Sequence, residues 1–203
     1  MSSSLSLQYP LILASNSPRR KEILTQAGFD FTILPADIDE SIDAAWQIED
    51  VPGILAEKKA KVLAESCPNQ LILAADTIVV VDGQILNKPA DKQEAREMLL
   101  QLSGKDHEVF TGISLIGPNV ADTQVDRAVV SFRNLLDWEI DWYVKGGSSL
   151  DKAGAYGVQD FIGMVGISRL EGSFYTVMGL PIHRVYHMMQ PYILEGRQSI
   201  LSF

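Results

Sequence analysis

A single cysteine, Cys67, stands in a chain of 203 residues. No disulfide can form within the chain, which fits a reducing compartment. Cys67 precedes Pro68 at what reads as a helix end, with no histidine nearby to activate it, so it reads as structural rather than nucleophilic. Histidine is scarce too, with three in the chain. His183 and His187 share a helix face, but HExxH is absent and His107 is remote, so all three read as structural. No apolar run approaches the ~20 residues of a membrane helix. The segment 1–10 is Ser-rich and uncharged, with neither a basic nor an apolar signal region, and reads as a flexible N-terminal extension. A soluble, cytoplasmic protein with no membrane partner is the expectation. Walker A, GxGxxG and GxSxG patterns are all missing, which disfavours a P-loop NTPase, a dinucleotide-binding Rossmann enzyme and a serine hydrolase. Positive charge is the last deficit. Lys and Arg number 17 against 26 Asp and Glu, a net charge of −9. That balance, without aromatic–basic interleaving, speaks against nucleic acid as a partner. The positions of the few cations therefore carry more information than their number.

What is present is a chain able to bury a sizeable core, 46% of it hydrophobic. Leu11–Ser15 reads as a buried strand. A helix follows over Ser17–Gly28, with Ser17 as cap, Pro18 in the first turn and Gly28 at the end. Phe29–Pro35 reads as a strand, Pro52–Ser66 as a helix and Leu71–Val81 as a long apolar strand. Asp82-Gly83 is a two-residue hairpin signal. Asp91 caps a helix running to Leu102. Glu108–Ile116 and Val125–Phe132 read as strands, Asp137–Val144 as a short helix, and Asp151–Gly166 as irregular and Gly-rich. Ile167–Leu170 and Ser173–Met178 flank Glu171-Gly172 as a second hairpin, and Pro181–Met189 closes as a helix. Strands interleave with helices, so the class is α/β; the hairpins make the sheet mixed.

Four features break local rules. Arg19, Arg20 and Lys21 open a helix, where each exposed cation opposes the dipole by about 0.3–1 kcal/mol. The arrangement makes sense if an anion docks on the strand–loop–helix turn, though a solvated basic patch would look the same. Asp76 lies within an apolar strand, where a carboxylate needs a cation, a metal or a proton; a structural salt bridge and a catalytic role both satisfy that. Thr77 would face the other way in a regular strand. Asp37, Asp39 and Glu40 form an acidic loop, either a solvated turn or, if folded near Asp76, part of a Mg²⁺ site. Finally, Lys88 follows the hairpin, and Gln159 ends a Gly-rich stretch, 151–159, with an amide able to read a base edge.

Taken in order, LxLASxSPRRxEIL (11–24), DIDES (37–41), LAEKKA (55–60), LAADTIVV (73–80), LNKP (86–89), LSGKxHEVFTG (102–112), DKAGAYGVQ (151–159) and EGSFYTVMGLP (171–181) resemble the Maf family of nucleotide pyrophosphatases. The resemblance implies a single Maf-like domain over 1–203, built as a bent mixed β-sheet flanked by helices. It implies two lobes around a central cleft, similar to inosine triphosphate pyrophosphatase-like folds. It also implies hydrolysis of a nucleoside triphosphate to monophosphate and pyrophosphate with a divalent metal cation, Mg²⁺ or Mn²⁺, and a homodimer as an assembly common in the family.

Carried over by matching motif, Asp76 corresponds to the proton acceptor, with Glu40 and Asp76 holding metal. Ser15, Ser17, Arg20, Lys59 and Lys88 correspond to phosphate-binding positions, and Arg19, Thr77 and Gln159 to specificity positions. SPRR, ADT and GVQ resemble the subgroup acting on dTTP and UTP, whereas SPWR and SDQ mark the 7-methyl-GTP subgroup. Asn87 departs from the pattern, in which Glu often precedes the Lys. Two rival expectations stand beside this one: a broad house-cleaning pyrophosphatase for non-standard nucleotides, and a nucleotide-binding regulator of septum formation.

Overall fold

A computed structural model describes residues 4–194. Its sheet has seven strands: β1 (Leu11–Leu13), β2 (Thr32–Ile33), β3 (Leu71–Val81), β4 (Gln84–Leu86), β5 (Asp106–Gly117), β6 (Val120–Phe132) and β7 (Ile167–Glu171). The order is β2-β1-β3-β5-β6-β7, with β4 also on β3. β1 runs parallel to β2 and β3, and the other pairs are antiparallel. The sheet is thus mixed, as the hairpin signals required.

β3 positions the site. On one side β5 accompanies it from Ile72 to Val80 without a break. On the other, β1 pairs only with Leu71–Leu73 and β4 only with Val79–Val81. The stretch between, 74–78, has no strand neighbour on that edge. Alternation along β3 then sorts its side chains between two faces. Ile72, Ala74, Ile78 and Val80 pack with α2 (Val51–Ser66) and its flanks. Leu73, Ala75 and Val79 face the remaining helices.

That second face carries two separate cores. One gathers Leu13, Leu24, Leu73, Leu180 and Val185 with α1 (Pro18–Gln26). The other gathers Val79, Leu99, Val130, Tyr143, Tyr156 and Ile162 with α3 (Lys92–Leu102), α4 (Asp137–Lys145) and α5 (Phe161–Gly166). α2 lies close on β5 because residue 112 is glycine. A Cβ there would come within 2.2 Å of the Pro52 carbonyl.

The structure departs from sequence expectation in three elements. The segment 173–178 is not the second strand of a hairpin but a short helix, α6 (Phe174–Met178). The Ser173 side chain accepts from Tyr175 N at 3.2 Å, and Gly179, at φ +100°, ends the turn. These end signals outweigh the β-branched Thr176 and Val177. β6 begins at Val120 rather than 125 and joins β5 through a tight turn with Asn119 at φ +62°. Its first residues alternate between exposed and partly buried, so polar side chains interrupt the apolar run that marks the rest of the strand. The irregular stretch 151–166 ends in α5. In the expected flexible extension, Leu5 bridges Phe29 and Leu7 bridges Ile193, so the chain is tied down at two points there. Among the described residues the last α-helix, α7, spans Ile182–Met189.

His107, 2% exposed, shares a 2.7 Å hydrogen bond between its Nε2 and Tyr156 Oη and packs, tilted, beside Phe132. Burial pushes its pKa down to about 4. The folded state therefore holds a neutral imidazole, while the unfolded chain takes up a proton below about 6.5. Stability is expected to be complete above that pH and to fall as pH drops toward 4, by roughly 3 kcal/mol from this group. Urea unfolding of wild type and His107→Asn between pH 7 and pH 4.5 checks it. Equal pH slopes in the two would refute the assignment.

Candidate functional site

The unpaired edge of β3 opens into a cleft of about 410 Å³. Ser15, Ser17, Arg19, Arg20, Glu40, Lys59, Asp76, Thr77, Lys88 and Gln159 all line it. These ten residues are thus brought to one cavity from the β1–α1 loop, α1, the 37–41 loop, α2, β3, the β4–α3 connection and the 151–159 segment. Asp37 and Asp39 are not part of the lining. Asp39 instead accepts from Ser41 N and Oγ at 2.9 and 2.8 Å in a local turn. Cys67 sits partly buried at the end of α2, away from the cleft.

Asp76 and Thr77 reach opposite faces of β3. On the α2 face, Lys59 Nζ donates to Asp76 Oδ1 at 2.6 Å and pairs with Glu40 Oε1 at 2.7 Å. Lys59 is only 8% exposed, so two carboxylates converge on one nearly buried ammonium. Burial alone would raise Glu40; Lys59, with Lys88 and Arg20 beyond, holds it below the ordinary carboxylate value. Lys59 uses one Asp76 oxygen and leaves Oδ2 with no hydrogen-bond partner among the described residues.

Arg20 works on the other face. Its Nε donates to Gly179 O at 2.8 Å and its Nη1 to Ala75 O at 2.8 Å and Ser15 Oγ at 3.2 Å; Nη2 donates to Thr77 Oγ1 at 3.2 Å. Ala75 O is the edge carbonyl that neither β1 nor β4 reaches, so the guanidinium completes the missing rung. Burial lowers the Arg20 pKa, opposed by the charge of Asp76. One Nη2 hydrogen remains for a ligand.

The serines are arranged to donate. Ser15 Oγ accepts from Ser17 N and from Arg20, both at 3.2 Å, which fills its lone pairs and leaves only its proton. Ser17 Oγ caps α1, accepting from Arg20 N at 3.5 Å. Lys88 is exposed and makes no hydrogen bond or ion pair with any described residue, leaving its ammonium free for an anion.

Arg19 does not stand free. It donates to Asp151 Oδ2 at 2.6 Å and Asp151 O at 3.2 Å, tying the first turn of α1 to the 151–159 segment. In that segment Gln159 Oε1 is buried without a partner.

Sequence reading passed over Lys152, which also lines the cleft. It is 7% exposed, donates to Ser148 O and Asp151 Oδ1, and lies 3.3 Å from Asp160 Oδ2. Its ammonium is occupied by the protein and anchors the segment. Its place inside DKAGAYGVQ was the only signal for it, and lysine in a loop ordinarily reads as solvated.

Two carboxylates and no nitrogen or sulfur donor make a hard-oxygen set suited to Mg²⁺ or Mn²⁺. Among the described residues no group of three or more His, Cys, Asp or Glu could hold a metal by itself. A cation here would need oxygens from a ligand or water, as Mg²⁺ commonly does. No helix of the described residues is long and apolar enough to cross a membrane.

Residues 10–192 match the model of the Maf-like protein family. The chain belongs to the Maf family. Curated Maf relatives agree in extent. A protein named dTTP/UTP pyrophosphatase from Halalkalibacterium halodurans is 45% identical over 181 residues, 89% of this chain and 95% of that one. One of the same name from Bacillus anthracis is 42% identical over 185 residues, 91% of this chain and 96% of that one. Among solved structures, the Staphylococcus aureus Ham1 protein matches this Maf chain with a TM-score of 0.50 at 18% identity, covering 90% of it and 98% of Ham1. That likeness shows the fold alone.

Proposed function

We propose that this Maf protein hydrolyses dTTP and UTP between the α- and β-phosphates, giving the monophosphate and pyrophosphate. The observation that carries the reading is the shared cavity. The Lys59-bridged carboxylate pair Asp76 and Glu40, the free ammonium of Lys88 and the unpartnered amide oxygen of Gln159 all line it. The ammonium suits a polyanion, the carboxylates suit an accompanying cation and the proton of an attacking water, and a base edge satisfies the amide. The names of relatives more than 40% identical over nearly their whole length support the same substrates.

In this reading the chain's residues divide the work. Lys88 and Arg20 neutralise phosphate oxygens, and Ser15 donates its remaining proton to one. Asp76, through Oδ2, takes the proton from the attacking water. Water oxygen bonds to the α-phosphorus, the bridging P–O bond to the β-phosphate breaks, and pyrophosphate leaves with that electron pair. Glu40 and Asp76 would hold a divalent cation, which when bound supplies charge neutralisation at the phosphates. Arg19 keeps the 151–159 segment against α1, and Gln159 and Thr77 face the base.

The test is pyrophosphate release from dTTP, UTP, CTP and 7-methyl-GTP, each with Mg²⁺ and Mn²⁺. dTTP and UTP should dominate, and chelation should stop the reaction. Comparable release from all four would favour the broad house-cleaning reading. Nucleotide binding without any pyrophosphate would favour a regulator of septum formation.

A further inference from the structure

A glutamine amide cannot by itself tell uracil or thymine from cytosine. Turning the group by half a revolution exchanges its donor for its acceptor, and Gln159 carries no partner on its oxygen to forbid the turn. Something in the cleft with fixed polarity is needed to favour one pyrimidine.

The hydroxyls behind Thr77 supply it. Thr111 pairs with Thr77 across β3 and β5 and is fully buried. Its Oγ1 donates to the carbonyl of Thr176 at 2.8 Å. A carbonyl can only accept, so the one proton of Thr111 is committed there. The 3.0 Å contact between Thr77 Oγ1 and Thr111 Oγ1 must then be donated by Thr77. Arg20 can only donate, and it does so to Thr77 at 3.2 Å. Thr77 has now spent its proton and one lone pair. What it offers the cleft is a second lone pair and nothing else. Gly179 keeps that atom uncovered, since a Cβ there would lie 3.2 Å from Thr77 Oγ1. The Thr176 end is itself fixed, because the Thr176 hydroxyl donates to the buried Asp126, which Arg184 also holds at 2.5 Å.

We infer that Thr111 is a positioning residue for base selection: it holds Thr77 as an obligate acceptor, so that the cleft favours the ring N–H of uracil and thymine over the unprotonated ring nitrogen of cytosine. The inference rests on the proposed pyrimidine specificity.

Thr111→Val keeps the shape and removes the hydroxyl. The Thr176 carbonyl still accepts from Gly179 N at 3.1 Å, so it is not left without a donor. Thr77, freed of its acceptor, can turn its proton into the cleft. The expected result is a fall of at least about tenfold in the UTP-over-CTP ratio of kcat/KM, with Thr111→Ser staying within about twofold of wild type because it restores the proton order. If the valine variant does not fold, Thr111→Ala removes the same hydroxyl without adding a methyl group toward Thr77. Tm reports any purely structural cost, and the ratio should move independently of it. A wild type that prefers UTP and a folded Thr111→Val or Thr111→Ala that keeps the preference, even with a lowered Tm, would overturn the inference alone. A wild type indifferent between UTP and CTP would overturn the pyrimidine reading and this inference with it.

Discussion

Asp76→Asn should fold normally and lose at least about a thousandfold in turnover with UTP, the range expected for a general base whose protonation chemistry is removed. The amide keeps the volume of the carboxylate, and its oxygen can still accept from Lys59, which lies 2.6 Å from Asp76 Oδ1. Glu40 remains as the counter-charge to Lys59 at 2.7 Å. Burial and pairing are therefore largely retained, and what disappears is the anionic oxygen facing the water. Pyrophosphate release measured beside a thermal melt separates the two effects. Turnover within tenfold of wild type, in a protein with unchanged Tm, would remove Asp76 from the proton-accepting role.

The second large effect distinguishes two cations that look alike in sequence. Arg20→Lys is expected to lower stability on the order of 3 kcal/mol as well as activity. A lysine cannot span Ser15, Ala75, Thr77 and Gly179 at once, and edge carbonyls of β3 and the α6 turn would lose their donor. Lys88→Met should leave stability within about 0.5 kcal/mol, as is usual for exposed positions without structural partners. Its turnover should nonetheless fall by about a hundredfold, comparable to deleting one preorganised charge-stabilising donor. Urea midpoints and kcat/KM for both variants make the comparison. A stable Arg20→Lys enzyme would show that the guanidinium serves phosphate more than framework.

Much of the site was legible because its residues violated local preferences: a carboxylate in an apolar strand, cations at a helix start, a lysine before proline. The opposed faces of Asp76 and Thr77 followed from the two-residue period of a strand. The Asp82-Gly83 turn was legible for a similar reason, since residues at φ +51° and +74° leave few options. Other features depend on relations that no local window contains. Whether Arg20 meets a phosphate or a backbone carbonyl is decided by where β1 and β4 stop along β3. Thr176 and Val177 carry a β signal, yet buried hydrogen bonds of Thr176 and the left-handed Gly179 fix a turn of helix. Thr111 reads as one more strand threonine until its proton is followed to its acceptor.

The break in β3's outer edge also bears on self-association. Exposed strand edges invite foreign strands, and natural proteins must discourage this. Here the bare stretch is five residues, from 74 to 78, roughly 17 Å at the usual rise per residue. It is bounded at both ends by native strands, and its Ala75 carbonyl is already taken by Arg20. A small solute can enter such a notch, but an incoming peptide would find no register to continue. The gap thus presents Asp76 and Thr77 to the cleft without offering a template for aggregation.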